Sequence, residues 1–202
     1  MTDARSQTTC RRTGITIARG LAMGDAFVYR NIPGHNLNVC EIAPGQIDHE
    51  CEKVHLAVEK VLEDIRESAR RISQQVGPCQ ADIFNAHEMM LSDLVQSGEI
   101  REEMEKNLIN AEAAVHYVFQ RWAEKMQQSD STRYVERGDD LSDLGCRLVR
   151  TLQGISVHPL EAMPKGSILV AARLLPSDAV FFACREAAAI VVETGAAGSH
   201  CA

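Results

Sequence analysis

From Gln46 onward the apolar residues adopt steps of three and four. Ile47, Cys51, Val54, Val58, Val61, Ile65, Ile72 and Val76 follow one another this way, with Ala69 filling the one gap and Glu, Lys and Arg between them. That spacing puts one apolar stripe on a long helix with a coiled-coil-like seam. Gly77-Pro78 ends it, because proline cannot continue the hydrogen-bond ladder and glycine suits the C-cap. A second helix is expected from about Asp82 to Val95, with Ile83, Phe84, His87, Met90, Leu91 and Leu94 on one face. Ser97-Gly98 breaks the chain; Ile100, Met104 and Leu108 mark a third helix, and Asn110 is the expected N-cap of a fourth carrying Ala114, Val115, Val118, Trp122 and Met126. A last run uses Leu141, Leu144, Leu148 and Leu152 and closes at Gly154. Such stripes can be buried only against one another, so antiparallel packing into a bundle follows.

On both sides of this window the pattern is β-like. Residues 1–13 are polar and read as a flexible lead. Gly14-Ile15-Thr16-Ile17 and Met23 to Tyr29 are two short β-rich segments punctuated by glycine. After Gly154 come the apolar strand Ser167 to Ala172, a helix opening at Leu175-Pro176-Ser177-Asp178, and a buried strand Ala188 to Val192. Strand, helix and apolar strand imply a partly parallel α/β unit. The expected architecture is one α/β domain built from 14–42 and 155–202, split by a helical domain over 43–154. Because the chain stops at Gly195-Ala196-Ala197-Gly198-Ser199-His200-Cys201-Ala202, straight after a strand, a fragment of a longer protein is expected.

Charge bounds the partners. Lys and Arg number 21 against 28 Asp and Glu, a net charge of −7, with no cluster of bases fit to neutralise phosphates. Nucleic acid is a poor partner for such a chain and a basic protein a better one. No apolar run approaches the roughly 20 residues that span a bilayer, and no signal core follows Met1. The 7 cysteines (Cys10, Cys40, Cys51, Cys79, Cys146, Cys184, Cys201) form no Cys-x-x-Cys pair and read as free thiols. A cytoplasmic protein is expected.

His200 is the residue with most chemical promise. It follows a strand at the carboxyl end, where open α/β sheets place their ligands. A helix starting near Ser199 would favour negative charge beside the imidazole, as a phosphorylated histidine requires. Gly14 to Gly24, the helical insert, Asp143-Leu144-Gly145-Cys146-Arg147-Leu148, Ile168 to Ala172 with Leu175-Pro176-Ser177, and the final Gly-x-x-x-Ser-His occur in one order. That succession resembles the amino-terminal half of enzyme I of the phosphoenolpyruvate:sugar phosphotransferase system, from Gly14 to the end.

The resemblance implies a swivelling phosphohistidine domain, a helical insert that docks the phosphocarrier HPr, and a further carboxyl-terminal domain, absent here, that binds phosphoenolpyruvate and Mg2+. It implies no metal or cofactor in this fragment, a monomeric fragment and a homodimeric full-length protein. His200 matches the phosphorylated histidine and Ser199 a supporting residue. Ala86-His87-Glu88-Met89-Met90-Leu91-Ser92-Asp93 resembles the docking segment, so His87, Met89, Met90 and Asp93 are expected at the carrier interface, together with His116 and Arg137. His87 and Met89 are expected exposed, while Leu91 and Leu94 read as core.

The chain also departs from the family. Gly195-Ala196-Ala197-Gly198-Ser199-His200 stands where Gly-Gly-Arg-Thr-Ser-His is usual, Leu175 where threonine is usual, and Ser142 where a second arginine is common. Two other readings therefore stand beside the enzyme: a carrier-docking or regulatory module with a decayed histidine site, and the phosphohistidine domain of a pyruvate phosphate dikinase-like enzyme, against which the helical insert argues. His35, His49, His55 and His158 show no metal-ligand spacing.

Overall fold

A computed structural model describes residues 10–30, 37–75, 78–128, 132–155, 158–175, 178, 181 and 185–194. Five helices occupy the middle: α1 (Ile47–Gln75), α2 (Pro78–Gln96), α3 (Glu99–Asn107), α4 (Ala111–Gln127) and α5 (Thr132–Leu152). The seam read from α1 is the buried one: Ile47, Val54, Val58, Val61 and Ile65 are all below a tenth exposed. Pro78 opens α2, where its missing N–H leaves no bond unmade. The bundle core adds Phe84, Leu91 and Leu94 from α2, Val115, Val118 and Phe119 from α4, and Leu141, Leu144 and Leu148 from α5. Gly154, at φ +70°, turns the chain out of α5 as a left-handed cap.

Asn110 does precede α4, but its side chain does not cap the helix. Its Oδ1 accepts the Cys40 N–H at 3.1 Å and its Nδ2 donates to the Asn38 carbonyl at 2.9 Å, binding the entering loop to the bundle. The cap comes from α1, where Glu50 Oε2 accepts the Ala111 N–H at 2.8 Å. Burial pushes the Glu50 carboxyl up, yet that N–H and the Lys53 ammonium outweigh it, so it lies below its usual range.

Among the described residues the sheet has three parallel strands in the order β1 (Ala26–Tyr29), β2 (Ile168–Ala171), β3 (Ala189–Val192). Ala26 lies opposite Ile168, and Ile168 opposite Ala189, so strands from before and after the helices share one sheet. Two expectations need correcting. Residues 14–17 form no strand, and Ile15, Leu21 and Met23 stand fully in solvent. The last strand is not buried: among the described residues β3 is the sheet's edge, with Ile190 and Val191 exposed. A second, smaller core of Tyr29, Leu160, Met163, Leu169 and Ala171 underlies the sheet.

Candidate functional site

His200 and Ser199 lie outside the described residues. What is described is the platform before them, at the carboxyl ends of the strands. Thr194 donates from its N–H and its hydroxyl to the Ala172 carbonyl, both at 3.0 Å, fastening the exit of β3 to the exit of β2. Arg173 forms an ion pair with Asp139 of α5 and so ties the same loop to the bundle.

Beneath that loop is a buried polar cluster that the sequence reading missed. Asp178, fully buried, accepts the Tyr29 hydroxyl at 2.8 Å and the Leu175 N–H at 2.8 Å, and its Oδ1 lies 3.1 Å from His158 Nε2. The Leu160 N–H donates to His158 Nδ1 at 3.2 Å, which places the ring proton on Nε2, toward Asp178. Phe181 stacks on the imidazole at 3.9 Å between centroids. Burial first, and Asp178 second, drive the Tyr29 phenol well above its ordinary range. Leu175 is buried and has no hydroxyl for capping; the Asp178 carboxylate provides the reverse bond instead, back to the Leu175 N–H. The one available signal was the spacing of Leu175 and Asp178, positions N-cap and N3 of the helix expected from the sequence Leu175-Pro176-Ser177-Asp178.

On the bundle, the expected docking residues spread over three helices. Met89 and Asp93 are exposed on α2, and Met90 is half-buried against the core. His116, half-buried on α4, has its imidazole pKa lowered by burial, with a bond to Gln120 acting against the shift. Arg137 is exposed on α5; Asp139 beside it is engaged with Arg173, and Asp140 lies near His87. Ser142 donates to the Gly138 carbonyl at 2.9 Å within α5.

His87 departs from expectation: it is 0% exposed. Its Nε2 lies 3.2 Å from Asp140 Oδ1, an ion-pair distance, yet no hydrogen bond reaches either ring nitrogen among the described residues. The cause is helical phase, since residues 84, 87, 91 and 94 share the inward stripe of α2. His87 therefore joins α2 to α5 from inside, while Met89 presents the outer face. Among the described residues no group of three His, Cys, Asp or Glu could hold a metal ion, and no helix is long and apolar enough to cross a membrane.

Comparison with known proteins decides the family. The model described as PEP-utilising enzyme, N-terminal, matches residues 13–137, and that of the PEP-utilising enzyme mobile domain matches residues 163–202. The chain belongs to the PEP-utilising enzymes. Within that family it is similar to the phosphoenolpyruvate-protein phosphotransferase of Mycoplasma capricolum, 25% identical over 94% of this chain and 32% of the relative. The corresponding protein of Haloferax volcanii is 35% identical over 75% of this chain and 26% of its own length. This PEP-utilising enzyme chain thus spans about a third of the length of the curated relatives it matches. Among solved structures it resembles enzyme I in solution, with a TM-score of 0.69, 26% identity and coverage of 93% of this chain and 75% of that one. The N-terminal domain of Enzyme 1 - Nitrogen follows with a TM-score of 0.61, 26% identity and coverage of 91% and 74%. The resemblance to enzyme I read from the sequence is the one these relatives bear out.

Proposed function

We propose that this chain is the phosphoryl-accepting and carrier-docking part of a phosphoenolpyruvate-protein phosphotransferase. The observation that carries the reading is the match to enzyme I over 93% of the chain, in a sequence that carries Gly-x-x-x-Ser-His at 195–200. In this reading the His200 imidazole attacks the phosphorus of phosphoenolpyruvate held on a region outside this chain. The bond between phosphorus and the enol oxygen breaks, and the departing enolate takes up a proton to become pyruvate. The phosphoryl group then passes to a nitrogen of HPr, with the imidazole as leaving group. Ser199 supports the imidazole. Swivelling of the domain formed by 14–42 and 155–202 relative to 43–154 carries His200 between donor and carrier. Mg2+ would be held with phosphoenolpyruvate, outside this chain. HPr docks on the bundle, with Met89 and Met90 as the adaptable apolar patch, Asp93 as the acidic rim, and His116 and Arg137 at the margins.

The test joins this chain to the carboxyl-terminal region of an enzyme I and supplies labelled phosphoenolpyruvate with Mg2+. Acid-labile label is expected on the wild type and absent from His200→Ala. An unlabelled wild type, under conditions that label the parent enzyme I, overturns the reading. It would leave the second one, a docking module without transfer, which Leu175, Ala197 and Gly198 favour. Docking is checked separately: HPr binding should weaken with rising salt and with Asp93→Lys, and a salt-independent titration contradicts it.

A further inference from the structure

The end of α1 carries Arg66, Arg70 and Arg71 within six residues, the densest basic run in a chain of net charge −7. Beside it a groove of about 300 Å³ opens between α1 and α2. Its floor is apolar, formed by Ile65, Ala69 and Phe84, and its rim carries Arg66 and Arg70 from α1 and Glu88 from α2. The two arginines are not equivalent. Arg66 is committed to Glu88 across the groove, which neutralises both. Arg70, one turn further on and exposed, makes no hydrogen bond or ion pair among the described residues.

We propose that this groove docks an acidic segment of a partner protein, placing an apolar side chain on the floor and a carboxylate on the Arg70 guanidinium. The volume and open shape suit one or two side chains presented by another surface better than an enclosed small molecule. Charge selects the segment. A purely apolar occupant would cover the rim and partly dehydrate Arg70 without compensation, and a basic one would meet the Arg70 guanidinium, the charge on the rim that Glu88 does not neutralise. A carboxylate gains a planar, two-pronged donor whose weak hydration makes it the better cation for an interface. The groove lies on the α1 side of α2, one turn from Met89, and its occupancy does not depend on phosphoryl transfer.

The probe is the peptide acetyl-Leu-Glu-Glu-Leu-Glu-amide, titrated into this chain while backbone amide signals are followed by NMR. The expected result is a set of shift changes confined to residues 65–70 and 84–88. Affinity should fall roughly fivefold in Arg70→Glu, the size expected when an exposed ion pair becomes a repulsion, and should fall with salt. Arg70→Ala, at an exposed helical position, should fold normally and give an intermediate loss. Equal binding of the matching lysine peptide, shift changes elsewhere, or an affinity unchanged by both Arg70 variants overturns the proposal. So does concentration-dependent broadening of these amides without peptide, which assigns the face to a second copy of the chain.

Discussion

Asp178 shows how a single residue can hold two distant parts of the chain. Its carboxylate serves the Tyr29 hydroxyl, the Leu175 N–H and His158 at once, with all four residues buried. Removing a shared acceptor strands every donor, each at about 1–3 kcal/mol. Asp178→Ala should therefore cost about 3–5 kcal/mol in urea unfolding, whereas Tyr29→Phe, which leaves the other two contacts intact, should cost about 1 kcal/mol. Equal losses in the two variants would mean that the contacts do not act through one acceptor. The same cluster sets an alkaline limit. Tyr29 is raised by burial and Asp178, and burial pushes the Cys146 thiol up to about 12. Both groups keep their protons in the folded chain while the unfolded chain releases them, from about pH 8.5 for cysteine and about pH 10 for tyrosine. The unfolded state then binds fewer protons, so stability is fully present below those values and falls as pH rises. The phenol adds a slope of about 1.4 kcal/mol per pH unit above pH 10. The stability curves of wild type and Tyr29→Phe should accordingly converge above that pH; parallel curves would refute the assignment. None of this cluster could be read from spacing, since Tyr29 and Asp178 are 149 positions apart.

Among the elements, those governed by helical periodicity were legible and those governed by partners were not. The stripes of α5 and of α1 as far as Ala69 were read nearly residue by residue, because an amphipathic helix writes its buried face into a local repeat, whereas on α4 the reading took the half-buried Trp122 and Met126 and missed Phe119 and Ala123. Asn110 holds the N-cap position of α4 as read, but the acceptor that serves the first free N–H, Glu50, belongs to another helix. The phase of α2 put His87 on the inward stripe, but the group it faces there, Asp140, sits on α5 and could not be read from α2 alone. The apolar run of β3 looked like a buried strand, and only the strand order shows it to be an edge. Close packing of α4 on α5 is a further partner effect. A Cβ on Gly145 would stand 2.7 Å from the Phe119 Cβ. Helix propensity alone favours Gly145→Ala by about 1 kcal/mol. Overpacking against a fully buried phenylalanine costs about 1–3 kcal/mol, and contact at this distance demands that a helix shift. Net destabilisation of about 1–2 kcal/mol is expected in thermal unfolding, and a more stable variant would show that the interface can open without cost.

At the scale of the whole molecule the two cores are unequal among the described residues. Among the described residues twenty form the bundle core against five beneath the sheet, and buried apolar area is the main favourable term in folding. The sheet also closes a long loop, since Ala26 pairs opposite Ile168. That closure is easy only while α1 and α5 hold the intervening chain compact. The Arg173–Asp139 pair, one link between the two parts, is partly exposed, and such a pair contributes at most about 1 kcal/mol. It follows that the sheet should open while the bundle remains folded, and that the reverse order should not occur. Native-state hydrogen exchange tests this directly. Amides of Leu169 and Val170 should exchange through an opening of lower free energy than those of Val118 and Leu144. Leu169→Ala should lower protection in the sheet by about 2–4 kcal/mol and leave the bundle amides unchanged. If both sets report one opening free energy and Leu169→Ala lowers both equally, the chain unfolds as a single unit. Any swivelling of the sheet portion would then have to move the bundle with it.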